Sequence, residues 1–314
     1  MRTLKLAFGL AVFGALCLSV QSASALTAAP TVIDLSANPG EKIERTVRLK
    51  NETEAAETLQ PTTQNFVADP LGGGKPMYIG NKNANSLANW IVVSSTKVKL
   101  AAGESKDVKF TINVPANAEP GGHYAAIMWG EAAAGQAAGS NLAISGELAA
   151  PMILLNVRGA VNESEQLLSF ATKTGAVKFD QLPISFVTKI ANNGNVHFQP
   201  QGTITITNIF GATVATIPFN NVADGGNVLP QSVREFESTW MQDQAMHFGI
   251  YTAKLNFAYG KTEKTESSEI TFKIMPPGAL FGFVLVLLGV LLVLILGMKN
   301  MMCANSANTK KGRR

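Results

Sequence analysis

The residues best suited to chemistry are few and scattered. Three histidines, His123, His197 and His247, stand far apart, and both cysteines, Cys17 and Cys303, lie near the chain ends. A zinc site draws its ligands from clustered His and Cys, and this spacing supplies no such set, so no metal is expected. Gly72-Gly73-Gly74-Lys75 has the glycines and lysine of a phosphate cradle. Pro76, however, follows where a Ser or Thr would meet Mg²⁺, and no helical pattern comes next to receive the phosphate. The run is predicted to be a turn. No G-x-S-x-G elbow, H-E-x-x-H pair or dinucleotide fingerprint occurs, and the carboxylates fall mostly on the polar sides of alternating segments. An enzyme is therefore not expected, nor a cofactor. Should hydrolytic activity exist, a loop carboxylate such as Asp69 is the first to substitute.

Binding chemistry has better candidates. Trp90, Tyr124, Trp129, Trp240 and Tyr251 sit in alternating segments, where burial is the expected use. Tyr78 instead lies in Phe66–Asn89, an irregular excursion rich in Gly, Asn and Lys. A loop aromatic of that kind can stack on a sugar or anchor a protein partner. The candidate binding residues are Tyr78 with Lys75 and Asn81 of the same excursion. A second irregular stretch, Glu131–Asn141, reads as a small-residue hairpin connection.

The elements that must position these residues are strands. In Lys106–Val114 the alternation is complete, with Val108, Phe110, Ile112 and Val114 against Asp107, Lys109, Thr111 and Asn113. Ile43–Leu49, Thr96–Leu100, Ile184–Ile190, Thr203–Ile209, Ile250–Tyr259 and Ile270–Ile274 repeat the pattern, separated by Gly- and Pro-rich turn signals. A period of two marks a half-buried strand, and many short strands between such turns mark β-sandwiches. No segment of residues 26–275 has a 3.6-residue pattern of helical length.

Both ends of the chain address a membrane. Arg2 and Lys5, the apolar run Leu6–Val20 and Ala23-Ser24-Ala25 form a secretory signal peptide. Ala279–Met298 is 20 residues without a charge, long enough at about 1.5 Å per residue to cross a hydrocarbon core. Lys299, Lys310, Lys311, Arg313 and Arg314 follow it with no acidic residue, which puts the C-terminus in the cytoplasm. Removing these five and the two leader charges from the 26 basic residues leaves 19 against 22 acidic ones. That balance gives no basic face for nucleic acid. With no cysteine in the body of the chain, stability rests on apolar cores, and the setting is a prokaryotic envelope.

The expected fold class is all-β: two tandem immunoglobulin-like β-sandwiches followed by a single C-terminal transmembrane helix. The boundaries are a signal peptide 1–25, sandwiches 26–160 and 161–275, an anchor 276–298 and a basic tail 299–314.

Particular runs also resemble a family. Val32-Ile33-Asp34-Leu35, Asn38-Pro39-Gly40, Val47-Arg48-Leu49-Lys50-Asn51, Ser86-Leu87-Ala88-Asn89-Trp90-Ile91 and Glu119-Pro120-Gly121-Gly122-His123-Tyr124 occur in this order. So arranged they resemble the N-terminal, peptidoglycan-binding domain of the WxL-interacting proteins of Gram-positive surfaces. Asn208…Gly211, Val228-Leu229-Pro230-Gln231-Ser232 and Phe248-Gly249-Ile250-Tyr251 resemble that family's second, host-binding module. The resemblance implies a non-enzymatic, membrane-anchored binding protein whose partner is cell-wall glycan or an envelope surface protein. The alternatives are a protein-interaction scaffold and a sortase- or exosortase-processed surface protein without glycan binding. Met275-Pro276-Pro277-Gly278 stands where the latter would carry its cleavage motif.

Overall fold

The alternating segments fold as strands, and their buried positions are the apolar ones. The computed structural model describes residues 26–80, 86–132, 144–222, 226–241, 247–260, 263–278, 282 and 285–299, without the side chains of 131–132 and 144–148. The signal peptide, the basic tail beyond Lys299, most of Glu131–Asn141 and the candidate Asn81 lie outside the described residues. The chain divides into two compact units, Met1–Val67 with Pro76–Asn162, and Ala68–Lys75 with Glu163–Arg314.

The first unit is an immunoglobulin-like sandwich. One sheet has the order β1 (Leu26–Ala29), β3 (Lys42–Asn51), β8 (Ser105–Asn113), β6 (Ile91–Val93). The other runs β2 (Val32–Ala37), β11 (Met152–Val157), β9 (Gly121–Ala132), β4 (Glu57–Ala68), β5 (Pro76–Ile79). In this second sheet β7 (Val98–Leu100) also pairs with β4, and β10 (Ile144–Ala149) with β9. Val47 stands opposite Val108 and Ile43 opposite Ile112 in the β3–β8 ladder, so two apolar stripes face one core. The pairing of β2 with β11 is parallel, a long-range match that no local pattern announces. Ala149–Arg158, a largely apolar run read as one strand, is divided: Ala149 ends β10 and Met152 begins β11 beyond Pro151, since proline cannot donate to a ladder.

The second unit packs a three-stranded sheet on a five-stranded one. The first has the order β12 (Glu165–Thr172), β14 (Ile184–Asn192), β17 (Ser232–Trp240). The second runs β13 (Lys178–Phe179), β19 (Lys264–Ile274), β18 (Gly249–Tyr259), β15 (Gln201–Asn208), β16 (Thr213–Phe219). Its core is crowded with rings: Phe186 meets Phe170 at 5.9 Å and Phe272 at 5.7 Å, and Phe219 meets Phe236 and Phe257.

After β19, Gly282 N–H donates to the Gly278 carbonyl at 2.9 Å, and residues 285–299 are helical. Among the described residues no helix is long and apolar enough to cross a membrane. Residues 279–281 and 283–284 of the run Ala279–Met298 lie outside them.

Candidate binding surface

The excursion Phe66–Asn89 is not the irregular loop that its composition suggests. Phe66 closes the buried part of β4, Pro76–Ile79 forms strand β5 beside it, and Leu87–Trp90 makes one helical turn, α1. Side chains of β4 fasten the returning chain. Ala88 N–H donates to Asn65 Oδ1 at 3.0 Å, Asn65 Nδ2 donates to Ser86 Oγ, and Thr63 Oγ1 donates to the Ala88 carbonyl at 3.0 Å. These bonds satisfy polar groups that burial would otherwise leave costly.

Tyr78 is therefore a strand residue rather than a loop tip. Its ring meets Phe66 edge-on, with centroids 6.3 Å apart and planes at 76°, and Phe66 in turn packs against Tyr124. Partial burial raises the phenol pKa above its ordinary value, so the hydroxyl stays protonated at neutral pH. Tyr78 remains 37% exposed, between Met77 at 46% and Ile79 at 41%. Three consecutive apolar residues, pointing to alternate faces, are thus open on an edge strand.

Lys75 is exposed and belongs to the second unit, Tyr78 to the first. The segment 68–75 is a turn, as its glycines suggest. Asp69 Oδ1 accepts from Leu71 N–H, and Gly72 and Gly74 take positive φ, which glycine alone adopts without strain. Glu235 N–H donates to the Gly72 carbonyl at 2.9 Å, so the turn lies along β17. A Cβ at Gly74 would come within 2.7 Å of the Arg234 guanidinium. That guanidinium donates to the Asn227 carbonyl and sits 5.3 Å over the Phe236 ring. Of the three candidate residues, Lys75 and Tyr78 fall in different units, and Asn81 is outside the described residues.

Two further features escaped the sequence reading. On the second unit, an open depression of ≈ 480 Å³ crosses β15, β18 and β19, with Gln201, Asn256, Thr265 and Glu266 at its rim. Near it, Glu165 holds a carboxylate oxygen without a hydrogen-bond partner. Burial, and then the neighbouring Glu266, push its pKa up to about 7. Among the described residues no group of three or more His, Cys, Asp or Glu could hold a metal ion. His123 instead packs on Trp90 and His247 on Trp240, both at 4.7 Å.

No protein-family model and no curated protein matches this chain. Solved structures similar to it include the class 5 fimbriae chaperone CfaA, with 16% identity over 79% of this chain and 98% of that one, at a TM-score of 0.38. Another is the CsuC-CsuE chaperone-tip adhesion subunit pre-assembly complex from archaic chaperone-usher Csu pili of Acinetobacter baumannii (16% identity, 78% and 97% covered, TM-score 0.37). A third is the E. coli chaperone DraB (12% identity, 80% and 97% covered, TM-score 0.32).

Proposed function

We propose that this chain is a non-enzymatic, membrane-anchored envelope protein that binds an extended segment of a partner protein along β5. The observation carrying this reading is the run Met77-Tyr78-Ile79, exposed on an edge strand. Folded proteins blunt such edges with charge, proline or cover, because an open edge invites another strand. An added strand gains main-chain hydrogen bonds along the edge, while pockets for alternate side chains set its identity. Tyr78, backed by Phe66, supplies a rigid apolar anchor with a polar tip.

The anchor rests on the helix after β19. From Leu285 to Met298, twelve large apolar side chains are about half exposed or more, and leaving such a side chain in water forgoes about 1.5–3 kcal/mol. A bilayer recovers that energy. A span also confines the ectodomain near its partners and raises their effective concentration.

A glycan partner, implied by the likeness to WxL-interacting proteins, is the second reading, favoured by the polar-rimmed depression at Gln201, Asn256 and Glu266.

The test incubates the purified full chain, in detergent, with wall sacculi and separately with solubilised envelope proteins of its source. Capture of a defined protein that Tyr78→Lys with Ile79→Lys abolishes, without lowering the melting temperature, supports strand addition at β5. Retention on sacculi that ignores this pair, with no protein captured, discards it for the glycan reading.

A further inference from the structure

We propose that the end of the second sandwich nearest the apolar helix docks on the membrane surface, with the β15–β16 hairpin tip seated among the lipid headgroups. The proposal rests on the anchor reading above and concerns only the second unit.

The two ends of this sandwich differ in the size of the apolar groups they expose, Val222 and Val233 at one and, Val177 aside, larger side chains at the other. At one end the β18–β19 hairpin turns at Gly260, beside Lys264 and the carboxylates of Glu163, Glu165 and Glu266. At the other the chain leaves for the helix, and there apolar side chains stand in the open. Ile209 is 63% and Phe210 87% exposed. Val177, Met241, Phe248 and Ile250 are exposed as well.

Pairing registers place these residues together. Ile274, the last residue of β19, pairs with Gly249, and Lys273 pairs with Ile250. Asn208 stands opposite Tyr251, which stands opposite Phe272. The tip beyond Asn208 therefore projects to about the level of Ile274, roughly 10 Å to the side across two strand spacings. The Val177 carbonyl accepts from Lys273 N–H at 2.8 Å. Trp240, which precedes Met241, packs on Tyr251 and Phe272.

The tip is built rather than slack. Asn208 Oδ1 accepts from both Phe210 N–H and Ala212 N–H at 3.0 Å, and Gly211 N–H donates to the Asn208 carbonyl with φ at +78°. Phe248 is held likewise, its N–H donating to Tyr251 Oη at 3.1 Å. A rigid turn that shows Ile and Phe to water forgoes burial for no gain in folding. It gains where water ends.

Reach agrees with this. Met275 is still bonded to Phe179, and the Gly278 carbonyl already accepts from Gly282 N–H, four residues on. Only Met275–Pro277 lie between, which limits the gap to about 14 Å at full extension. The headgroup layer is about 5–7 Å deep on each side of the core. An anchored helix thus brings this end to the interface. Lys178 and Lys273, paired and exposed there beside Asp180, can meet lipid phosphates while their stems lie along apolar groups.

The experiment uses the full chain with Cys17→Ser and Cys303→Ser, reconstituted in vesicles of neutral and anionic phospholipid. An environment-sensitive fluorophore is attached in turn at Phe210→Cys, Lys264→Cys and Leu291→Cys. Lys264 lies about 34 Å farther along β19. The expected result at 210 is a blue shift, with loss of emission when the lipids are brominated high in the acyl chain. The label at 264 stays unquenched, and that at 291 is quenched by bromine near the chain end. Quenching at 291 but not 210, or equal quenching at 210 and 264, overturns the docking and leaves the anchor standing. No quenching at 291 removes the anchor itself, and the docking with it.

Discussion

The two sandwiches share a fold and fill it differently. Of the 26 buried residues in the first core, three are aromatic: Trp90, Phe110 and Trp129. Of the 20 in the second, ten are, from Phe170 to Phe272. Aliphatic side chains fill the first interior by numbers, whereas rings fill the second by size, with tilted and edge-on pairs adding to their buried area. One architecture therefore accepts either packing, because alternation and turn chemistry select the sandwich while side-chain identity only has to fill it. What does repeat is polar. Asn51 ends β3 and donates from Nδ2 to the Ala55 and Ala101 carbonyls, while its Oδ1 accepts from Thr53 N–H. Asn192 ends β14 and does the same with Val196, Val228 and Gly194. Both are buried.

The contrast in packing should show most in core truncations. Phe186→Ala removes a ring that touches Phe170 and Phe272, and should destabilise the second sandwich by about 3–5 kcal/mol. Leu155→Ala in the first should cost about 2–5 kcal/mol. Urea titration followed by hydrogen exchange at amides of each unit would assign the losses. If Phe186→Ala loosened both units alike, the two cores would not be separate. The repeated asparagine is expected to matter next. Asn51→Ala and Asn192→Ala each remove three hydrogen bonds made by a buried amide, at about 0.5–1.5 kcal/mol apiece. Similar losses confined to each residue's own sandwich would establish the shared pin, and a neutral Asn192→Ala would break the parallel.

The smallest effect separates the units by pH. The Glu165 pKa is raised, so the folded second unit holds its proton more tightly than the unfolded chain does. The resulting stability is present below the ordinary carboxylate range, about 4.5, and lost as pH rises through about 7. Glu266 faces Glu165, and burial together with Glu165, Glu266 and Glu163 raises the pKa of the neighbouring Tyr259. Melting of the second sandwich should fall from pH 5 to pH 8, with the first following a different profile. Glu165→Gln should flatten the decline, and an unchanged slope would assign it elsewhere.

Much of the fold was legible residue by residue. In β8, Val108, Phe110 and Ile112 are buried, as the period of two requires; Trp129, Trp240 and Tyr251 are buried as strand aromatics should be, Trp90 is buried on the helical turn α1, and Tyr124 is only half-buried. The candidate site was far less legible. Gly, Asn and Lys in Phe66–Asn89 suggested one loop, yet Pro76–Ile79 is too short for its pattern to announce a strand. The Gly72 turn finds its partner at Glu235, far along the chain.

By itself the sequence determined where the longer alternating strands form and which side of each turns inward, because those follow from neighbours one and two residues apart. It also determined the apolar run after Pro277 and the turns built on glycine, since both are local. Tertiary structure alone decided that β2 would lie parallel to β11, that β5 would be left as an open edge, and that Val177, Phe210 and Phe248 would gather at one end. Those outcomes depend on pairing between segments distant in the chain, where many registers satisfy the local pattern and only packing of the whole core selects one.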